Sequence, residues 1–390
     1  MHEELQALRS NGTWVLVPRK SNMNVVGSRW MFKTKFHFDG FVERFKARLV
    51  AKGYNQIEGV YFDDTFSPVV KAATIRVVLS IIIALNWDIK QLNVKNAFLH
   101  GDLKEKVFME QPPRFRNPIF PNHVCLLKKA IYALKQAPKY WFYKFSSYLF
   151  HLGFLCSKAD SSLFVQHSSE GTILLLLYVD DIILTGSNSF LLSRILYTLQ
   201  SHFATKDLGP LHYFLGIEVY RDKDGLFLSQ HTYATAILQL TDMLVARAHP
   251  TPLSQKHHLH DSTGSLVDAS EYRSLVASNC SSWSGIKRVL RYITGSPHLG
   301  LLISTRSSLN LVGFSDADWA GCPIIRRSTT GICVFLFSNC VSWSSKKQHI
   351  VTRSSAEVEY RSLASLAANI TWITYLLKDI GISLPRPPHY

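Results

Sequence analysis

Ile173-Leu174-Leu175-Leu176-Leu177-Tyr178-Val179-Asp180-Asp181-Ile182-Ile183-Leu184 places two adjacent carboxylates inside an otherwise apolar run. Leu174 to Tyr178 and Ile182 to Leu184 read as two short buried strands, so the Asp pair is expected at the two-residue turn of a hairpin. A tight turn exposes both side chains at one point. Two carboxylates that close repel each other unless cations lie between them, and oxygen ligands suit Mg²⁺ at a phosphoryl-transfer site. Taken alone, the tetrapeptide also reads as a type I′ hairpin in which Asp is an ordinary turn former.

Composition narrows what can surround that hairpin. A chain of 390 residues with 47% hydrophobic and 12% aromatic content can bury large cores, and its length suggests two or three domains. The formal net charge of +15 predicts a polyanionic partner, nucleic acid before membrane. Val77 to Leu85 and Ile173 to Leu177 are the longest apolar runs, well short of the ~20 residues of a spanning helix. The polar N-terminal opening carries no secretory signal. Cys125, Cys156, Cys280, Cys322, Cys333 and Cys340 form no CxxC pair, which fits reduced thiols in an intracellular setting.

Residues 29 to 38 alternate strictly, with Trp30, Phe32, Phe36 and Phe38 on one face and Arg29, Lys33, Lys35 and His37 on the other. That is the period of a strand. Asp39-Gly40 is a strong two-residue turn signal, and a second alternating run follows from Phe41 to Leu49. Pairing Phe38 with Phe41 sets Lys35 opposite Arg44 and Lys33 opposite Lys46. Like charges facing across strands destabilise a free hairpin. A polyanion on that face removes the penalty; a solvated outer face is the other reading.

Joined to RFKARLVAKGYNQ (44 to 56), DDTFSPVVK (63 to 71), QLNVKNAFLHGDL (91 to 103), YALKQAP (132 to 138), DLGPLHYFLGIEV (207 to 219) and LSQHTYA (228 to 234), the Asp-pair hairpin closely resembles the copia-type reverse transcriptases of LTR retrotransposons. The resemblance covers nearly the whole chain. It implies an α+β right-hand polymerase of fingers, ferredoxin-like palm and reduced thumb, followed by a truncated RNase H-like α/β domain, all part of a Pol polyprotein. The implied divisions are fingers and palm in 1–248, linker and shortened thumb or connection in 249–304, and RNase H-like in 305–390. The implied partners are an RNA template, a DNA primer and deoxynucleoside triphosphates, with two Mg²⁺ ions held by Asp180, Asp181 and a carboxylate on an earlier strand.

The resemblance makes Lys33, Lys35, Lys46 and Arg48 candidates for triphosphate contacts. It places Ala133, where the family commonly has Gly, beneath the nucleotide. Asp88 to Val94 is the strand expected to carry the first metal-binding carboxylate, followed by a helix from Lys95 to Leu99. There the family reads QLDV, and this chain reads Gln91-Leu92-Asn93-Val94. An amide has replaced the bridging carboxylate. Asn offers a neutral carbonyl and an NH₂ that repels a cation, so polymerase activity is expected to be lost or very low. Neither Asp88 nor Asp102 is a convincing substitute. A second departure is the shortened stretch from Asn279 to Trp283, which removes part of the thumb or connection.

From Leu309 the chain becomes strand-like, and a long helix is expected from about Ser355 to Asp379. Ser354 and Glu357 form a capping box and Gly381 suits the helix stop. SDADWAG and SSAEVEYRSLA resemble the RNase H-like part of the same family. That likeness assigns Asp316 and Glu359 to a metal site whose further ligands come from later elements, and implies an open sheet edge and improbable hydrolysis of RNA. His257, His258 and His260 read as a solvated linker. Tyr61, Phe62 and the aromatics of Tyr140 to Tyr148 read as core. Two functions remain: a degenerate reverse transcriptase with lost or very low catalysis, or a non-catalytic nucleic-acid-binding remnant.

Overall fold

The computed structural model describes residues 1–36, 41–252, 283–305 and 309–389. The Asp39-Gly40 turn, the His257, His258 and His260 linker and the shortened stretch from Asn279 lie outside the described residues. In chain order the elements begin α1 (His2–Ser10), β1 (Trp14–Pro18), β2 (Val25–Val26), β3 (Ser28–Phe36), β4 (Val42–Ala51) and α2 (Ala72–Ala84). Next come β5 (Asp88–Val94), β6 (Asp102–Met109), β7 (His123–Lys129), α3 (Ala137–His151), β8 (Leu155–Cys156), β9 (Leu163–Ser168), β10 (Gly171–Tyr178) and β11 (Asp181–Gly186). These are followed by α4 (Ser189–His202), β12 (Thr205–Asp207), β13 (Tyr213–Phe214), β14 (Ile217–Arg221), β15 (Gly225–Ser229) and α5 (His231–Leu240). The last are α6 (Trp283–Gly295), β16 (Gly300–Ser304), β17 (Leu311–Ala317), β18 (Thr329–Leu336), β19 (Asn339–Lys347) and α7 (Ser355–Ile380).

Two compact units result, Met1–Lys71 with Asp88–Gly209 and Ala72–Trp87 with Pro210–Tyr390. Neither is continuous in sequence, because α2 belongs to the second unit while the strands on either side of it belong to the first. Its Val77, Val78, Ile81 and Ile82 are all fully buried. A helix apolar on every side needs cover on every side.

The first unit is organised by a six-stranded sheet of order β12-β5-β11-β10-β9-β8. Its central strands carry continuous apolar runs because both faces are buried: Ile173, Leu175, Leu177, Ile182 and Leu184 pack with Trp141, Phe145 and Leu149 of α3 and with Leu192, Ile195 and Leu199 of α4. Leu174 and Leu176, pointing the opposite way by strand alternation, are buried as well. Pro138 enters α3 in its first turn, where a missing N–H costs nothing. Asn188 caps α4 by accepting from the N–H groups of Phe190 and Leu191. A second sheet, β1-β7-β6-β2, has its own core around Leu49, Val107, Met109, Leu127 and Ile131. β3 and β4 form a separate two-stranded ribbon. Lys35 stands opposite Arg44 and Lys33 opposite Lys46, as the alternation predicted, but the register shifts by one residue next to Lys35, so that Phe36 stands opposite Val42 and not Glu43.

Two local expectations need correction. Tyr178 pairs with Asp181, so the turn residues are Val179 and Asp180, and Asp181 is the first residue of β11. Pairing with β5 continues through Asp181, opposite Asn93, and extends the strand by one residue. The helix expected from Lys95 is a single 3-10 turn, Ala97–His100, entered through Asn96 in the left-handed region at φ 55°.

In the second unit, β13-β14-β15-β16 form one antiparallel sheet and β17-β18-β19 another. Helix α7 lies on β17 and β18. The predicted N-cap is present, with one change of partner: Ser354 accepts from the Glu357 N–H at 3.2 Å, but Glu357 accepts from the Arg353 N–H at 2.9 Å and not from that of Ser354, as a full capping box requires. Gly381 closes the helix at φ 86°. The outer edge of β17 is not bare as expected. His389 pairs with it in parallel, accepting from the Gly313 N–H at 2.9 Å and donating to the Leu311 carbonyl at 3.1 Å.

Candidate active site

The polar cluster of the first unit lies where β5 and the β10–β11 hairpin end together. Leu92 and Val94 point into the core, and alternation then turns Asn93 out of it. Antiparallel pairing brings Asn93 opposite Asp181. The Val94 N–H donates to the Asp180 carbonyl at 2.8 Å, fixing the turn against the strand. The Asn93 amide donates from Nδ2 to Asp181 Oδ1 at 2.9 Å and to Asp180 Oδ2 at 3.4 Å. Both acceptors are carboxylates, which only accept, so the NH₂ end of the amide must face them. One proton per carboxylate offsets part of their mutual repulsion.

Burial raises the Asp181 pKa above the ordinary carboxylate value; the Asn93 hydrogen bond pulls it back, and the neighbouring Asp180 charge pushes it up. A raised folded-state pKa means that the native protein holds the proton more tightly than the unfolded chain. Stability from this group therefore falls as pH rises from the ordinary carboxylate pKa through the raised value. Asp181→Asn removes that cost and keeps an acceptor for Asn93. Its urea midpoint relative to the parent is expected to rise as the pH is raised from about 4, the ordinary carboxylate value, through the raised one. A flat difference across that range contradicts the assignment.

The hairpin rests on α3. Trp141, 1% exposed, donates its indole N–H to the Val179 carbonyl at 2.5 Å. Val179 sits at φ 54°, a region costly for a β-branched residue. The hydrogen bond to Trp141 and the β5 pairing together hold the turn in that shape. Sequence reading placed the aromatics of α3 in the core, which holds for Tyr140, Trp141 and Phe145 but not for Tyr143, which is 52% exposed. The donor role of the indole had no sequence signal.

Segments 44–56 and 132–138 are joined beside this cluster. Ala51 N–H donates to the Tyr132 carbonyl, Gln56 to Gln136, and the Lys135 N–H to Gln56. A Cβ on Gly53 would lie 1.8 Å from the Ala133 carbonyl oxygen, so only glycine allows this approach. Ala133 itself is at φ 65°. The expectation of a position suited to Gly thus has a backbone reason. Left-handed geometry costs a non-glycine residue about 1–2 kcal/mol, partly offset by glycine's extra entropy when unfolded, so Ala133→Gly is expected to stabilise the protein by about 0.5–1 kcal/mol. Chemical denaturation checks this, and a destabilised variant contradicts it.

The candidate phosphate-contacting residues divide. Arg48 lies over the Tyr132 ring, 4.7 Å from its centroid, and Tyr132 Oη donates to Asn96 at 3.0 Å. Burial pushes the Tyr132 phenol up to about 12. The buried Arg48 Nε has no hydrogen-bond partner. Glu4 of α1, missed in the sequence, carries charge toward Lys46 and Arg48: burial raises its pKa while those two cations lower it. Lys33, by contrast, is exposed. The backbone places Lys35 on the same ribbon face, opposite Arg44, which is 3.6 Å from Glu43. On the other face Phe32 and Phe45 are 67% and 80% exposed.

The remaining acidic candidates behave differently. Asp88 is at the far end of β5, opposite Gly186, about 17 Å from Asn93 along an extended strand, and Asp102 pairs with Lys144 at 2.8 Å. Neither reaches the cluster. In the second unit, Asp316 on β17 and Glu359 on α7 are both exposed. Glu359 borders a hollow of about 350 Å³ with Ser315, Tyr360 and Leu363. Asp316 uses one carboxylate oxygen to accept from the Ala317 N–H at 2.9 Å.

Among the described residues no group of three or more His, Cys, Asp or Glu side chains is placed to hold a metal ion. Two ions about 4 Å apart need carboxylates to offset their repulsion. Beside Asp180 and Asp181 the third position offers an NH₂ pointing at both carboxylates. These residues do not fit a two-ion site.

A family described as "Reverse transcriptase (RNA-dependent DNA polymerase)" matches residues 11–255. The chain is 44% identical to the retrovirus-related Pol polyprotein from transposon RE2 and 43% identical to that from transposon RE1, both of Arabidopsis thaliana. Each alignment covers 100% of this chain and 28% of the relative. The corresponding polyprotein from transposon TNT 1-94 of Nicotiana tabacum is 34% identical over 98% of this chain and 31% of its own length. The chain thus spans under a third of the length of each of these three relatives. No helix among the described residues is long and apolar enough to cross a membrane.

Proposed function

The chain belongs to the copia-type reverse transcriptase family, and from that premise we propose that it is a nucleic-acid-binding polymerase scaffold whose nucleotidyl transfer is silenced at Asn93. The observation that carries this reading is the Asn93 amide donating to both Asp180 and Asp181. In this reading the six-stranded sheet is the palm and the β3–β4 ribbon belongs to the fingers. The β17–β19 sheet with α7 is RNase H-like. Asp180 and Asp181 are the surviving polymerase carboxylates, and Asp316 and Glu359 those of the second site. The family's reaction is attack of a primer 3′ hydroxyl on the α-phosphate of a deoxynucleoside triphosphate, directed by an RNA template.

What this chain's own groups can still do is bind and orient. The backbone register sets positions 33 and 35 on one ribbon face, and Arg48 holds an unpaired buried N–H near Tyr132. The net charge of +15 favours any polyanion. Transfer also needs charge to be neutralised where it builds on the phosphate, and an amide replaces a carboxylate there.

Primer extension on an RNA template in Mg²⁺, with template–primer binding measured alongside, tests the reading. The expected result is binding without extended product. Extension by the chain as it stands overturns the loss of catalysis, and absence of binding overturns the scaffold role.

A further inference from the structure

A cleft of about 720 Å³ opens in the first unit between the end of β1 and the loop joining β6 to β7. Arg19 and Lys20 line one side; Arg116, Asn122 and His123 line the other. Among the described residues no ion pair engages Arg19, Lys20 or Arg116, and Glu110 is the one acidic side chain on the wall. Three cations on one wall against a single carboxylate leave a net positive charge, and an anion between them relieves it.

The wall is built. Gln111, 6% exposed, donates to the carbonyls of Phe120 and His123 at 2.8 and 2.9 Å and accepts from the Asn117 N–H at 2.7 Å. Asn117 then accepts from the N–H groups of Ile119 and Phe120. Trp30 donates its indole N–H to the Pro113 carbonyl at 3.0 Å, and Phe115 packs edge-on to the Trp30 ring. A loop tied at this many points holds the backbone of Arg116 on the wall that Arg19 and Lys20 also line, which lowers the ordering cost of binding.

The cleft is separate from the carboxylate cluster. None of Asn93, Asp180 and Asp181 is among the residues that line it. The geometry points to a second polyanion site, in which Arg19, Lys20 and Arg116 grip the phosphodiester backbone of a nucleic-acid strand. This rests on the nucleic-acid-binding reading above. An open polar trough suits a strand passing through it, and phosphate contacts of this kind carry affinity without reading sequence.

Fluorescence anisotropy with a labelled single-stranded oligonucleotide of about 30 nucleotides, titrated with salt, tests the site on the full chain. Arg19→Ala/Lys20→Ala/Arg116→Ala is expected to weaken binding by about tenfold or more and to reduce the salt slope by about 2, three lost contacts at about 0.7 each. Arg116→Gln alone, an exposed and conservative change, is expected to reduce the slope by about 0.7, and Arg116→Lys to restore it. Unchanged slopes in folded variants, with normal parent binding, overturn the cleft and leave the function reading intact. Failure of the parent to bind overturns both. Displacement of the oligonucleotide from the parent, but not from the triple variant, by micromolar deoxythymidine triphosphate reassigns the cleft to a free nucleotide and overturns the strand.

Discussion

Asn93→Asp is expected to raise primer extension in Mg²⁺ by at least about 10²- to 10³-fold over the parent chain, the size of effect seen when one preorganised electrostatic group is restored at such a site. The substitution deletes the NH₂ that donates to Asp181 at 2.9 Å and to Asp180 at 3.4 Å. It leaves three carboxylates on adjoining strand ends. The backbone needs no change, because Asn93 already stands opposite Asp181 and Val94 already holds the turn. Without cations the three carboxylates repel, so the metal-free variant is expected to be less stable than the parent. Mg²⁺ is then expected to stabilise the variant and not the parent, by about 2.7 kcal/mol at a hundred times its Kd. Adding Asp180→Ala is expected to abolish the gain in extension. A variant that gains neither extension nor Mg²⁺-dependent stability sinks the assignment of position 93. Gain of Mg²⁺-dependent stability without extension moves the lesion elsewhere, to the grip on template and primer.

Trp141→Ala has the largest expected effect on stability. Trp141 is buried between α3 and the six-stranded sheet, with ring centroids 5.1 Å from Phe145 and 5.5 Å from Phe203. Truncation of such a side chain costs about 3–5 kcal/mol through lost transfer energy and the cavity left behind. It also strips the Val179 carbonyl of its donor. Trp141→Phe separates the two terms: it keeps most of the packing and removes the N–H, for an expected loss of about 1–2 kcal/mol. Urea denaturation measures both variants. A loss below about 1 kcal/mol for Trp141→Ala contradicts the view that this indole supports the hairpin.

How much was readable in the chain follows from what kind of information each feature needs. The register of β3 with β4 was legible because alternation and a turn signal are local, and a one-residue slip would turn every aromatic to the other face. The bounds of β5, Asp88–Val94, and the cap of α7 at Ser354 were legible for the same reason. The position of the β10–β11 turn was misjudged by one residue. Asp180-Asp181 reads as the turn by propensity, yet pairing of Asp181 with Asn93 draws it into the strand and forces Val179 into the left-handed region. Backbone hydrogen bonds outweighed turn preference there.

By itself the sequence determined the class of protein, the one strand and one hairpin of the carboxylate cluster, and the identity of the amide among them. Those follow from periodicities of two and 3.6 and from segments whose wording matches one family. Only the tertiary structure decided which end of the Asn93 amide faces Asp180 and Asp181, that Trp141 carries the turn from below, that Glu4 brings its charge toward Lys46 and Arg48, and that α2 leaves its sequence neighbours for the other unit. Each of these joins residues far apart in the chain. Their energies depend on distance and burial, which no local pattern of side chains encodes.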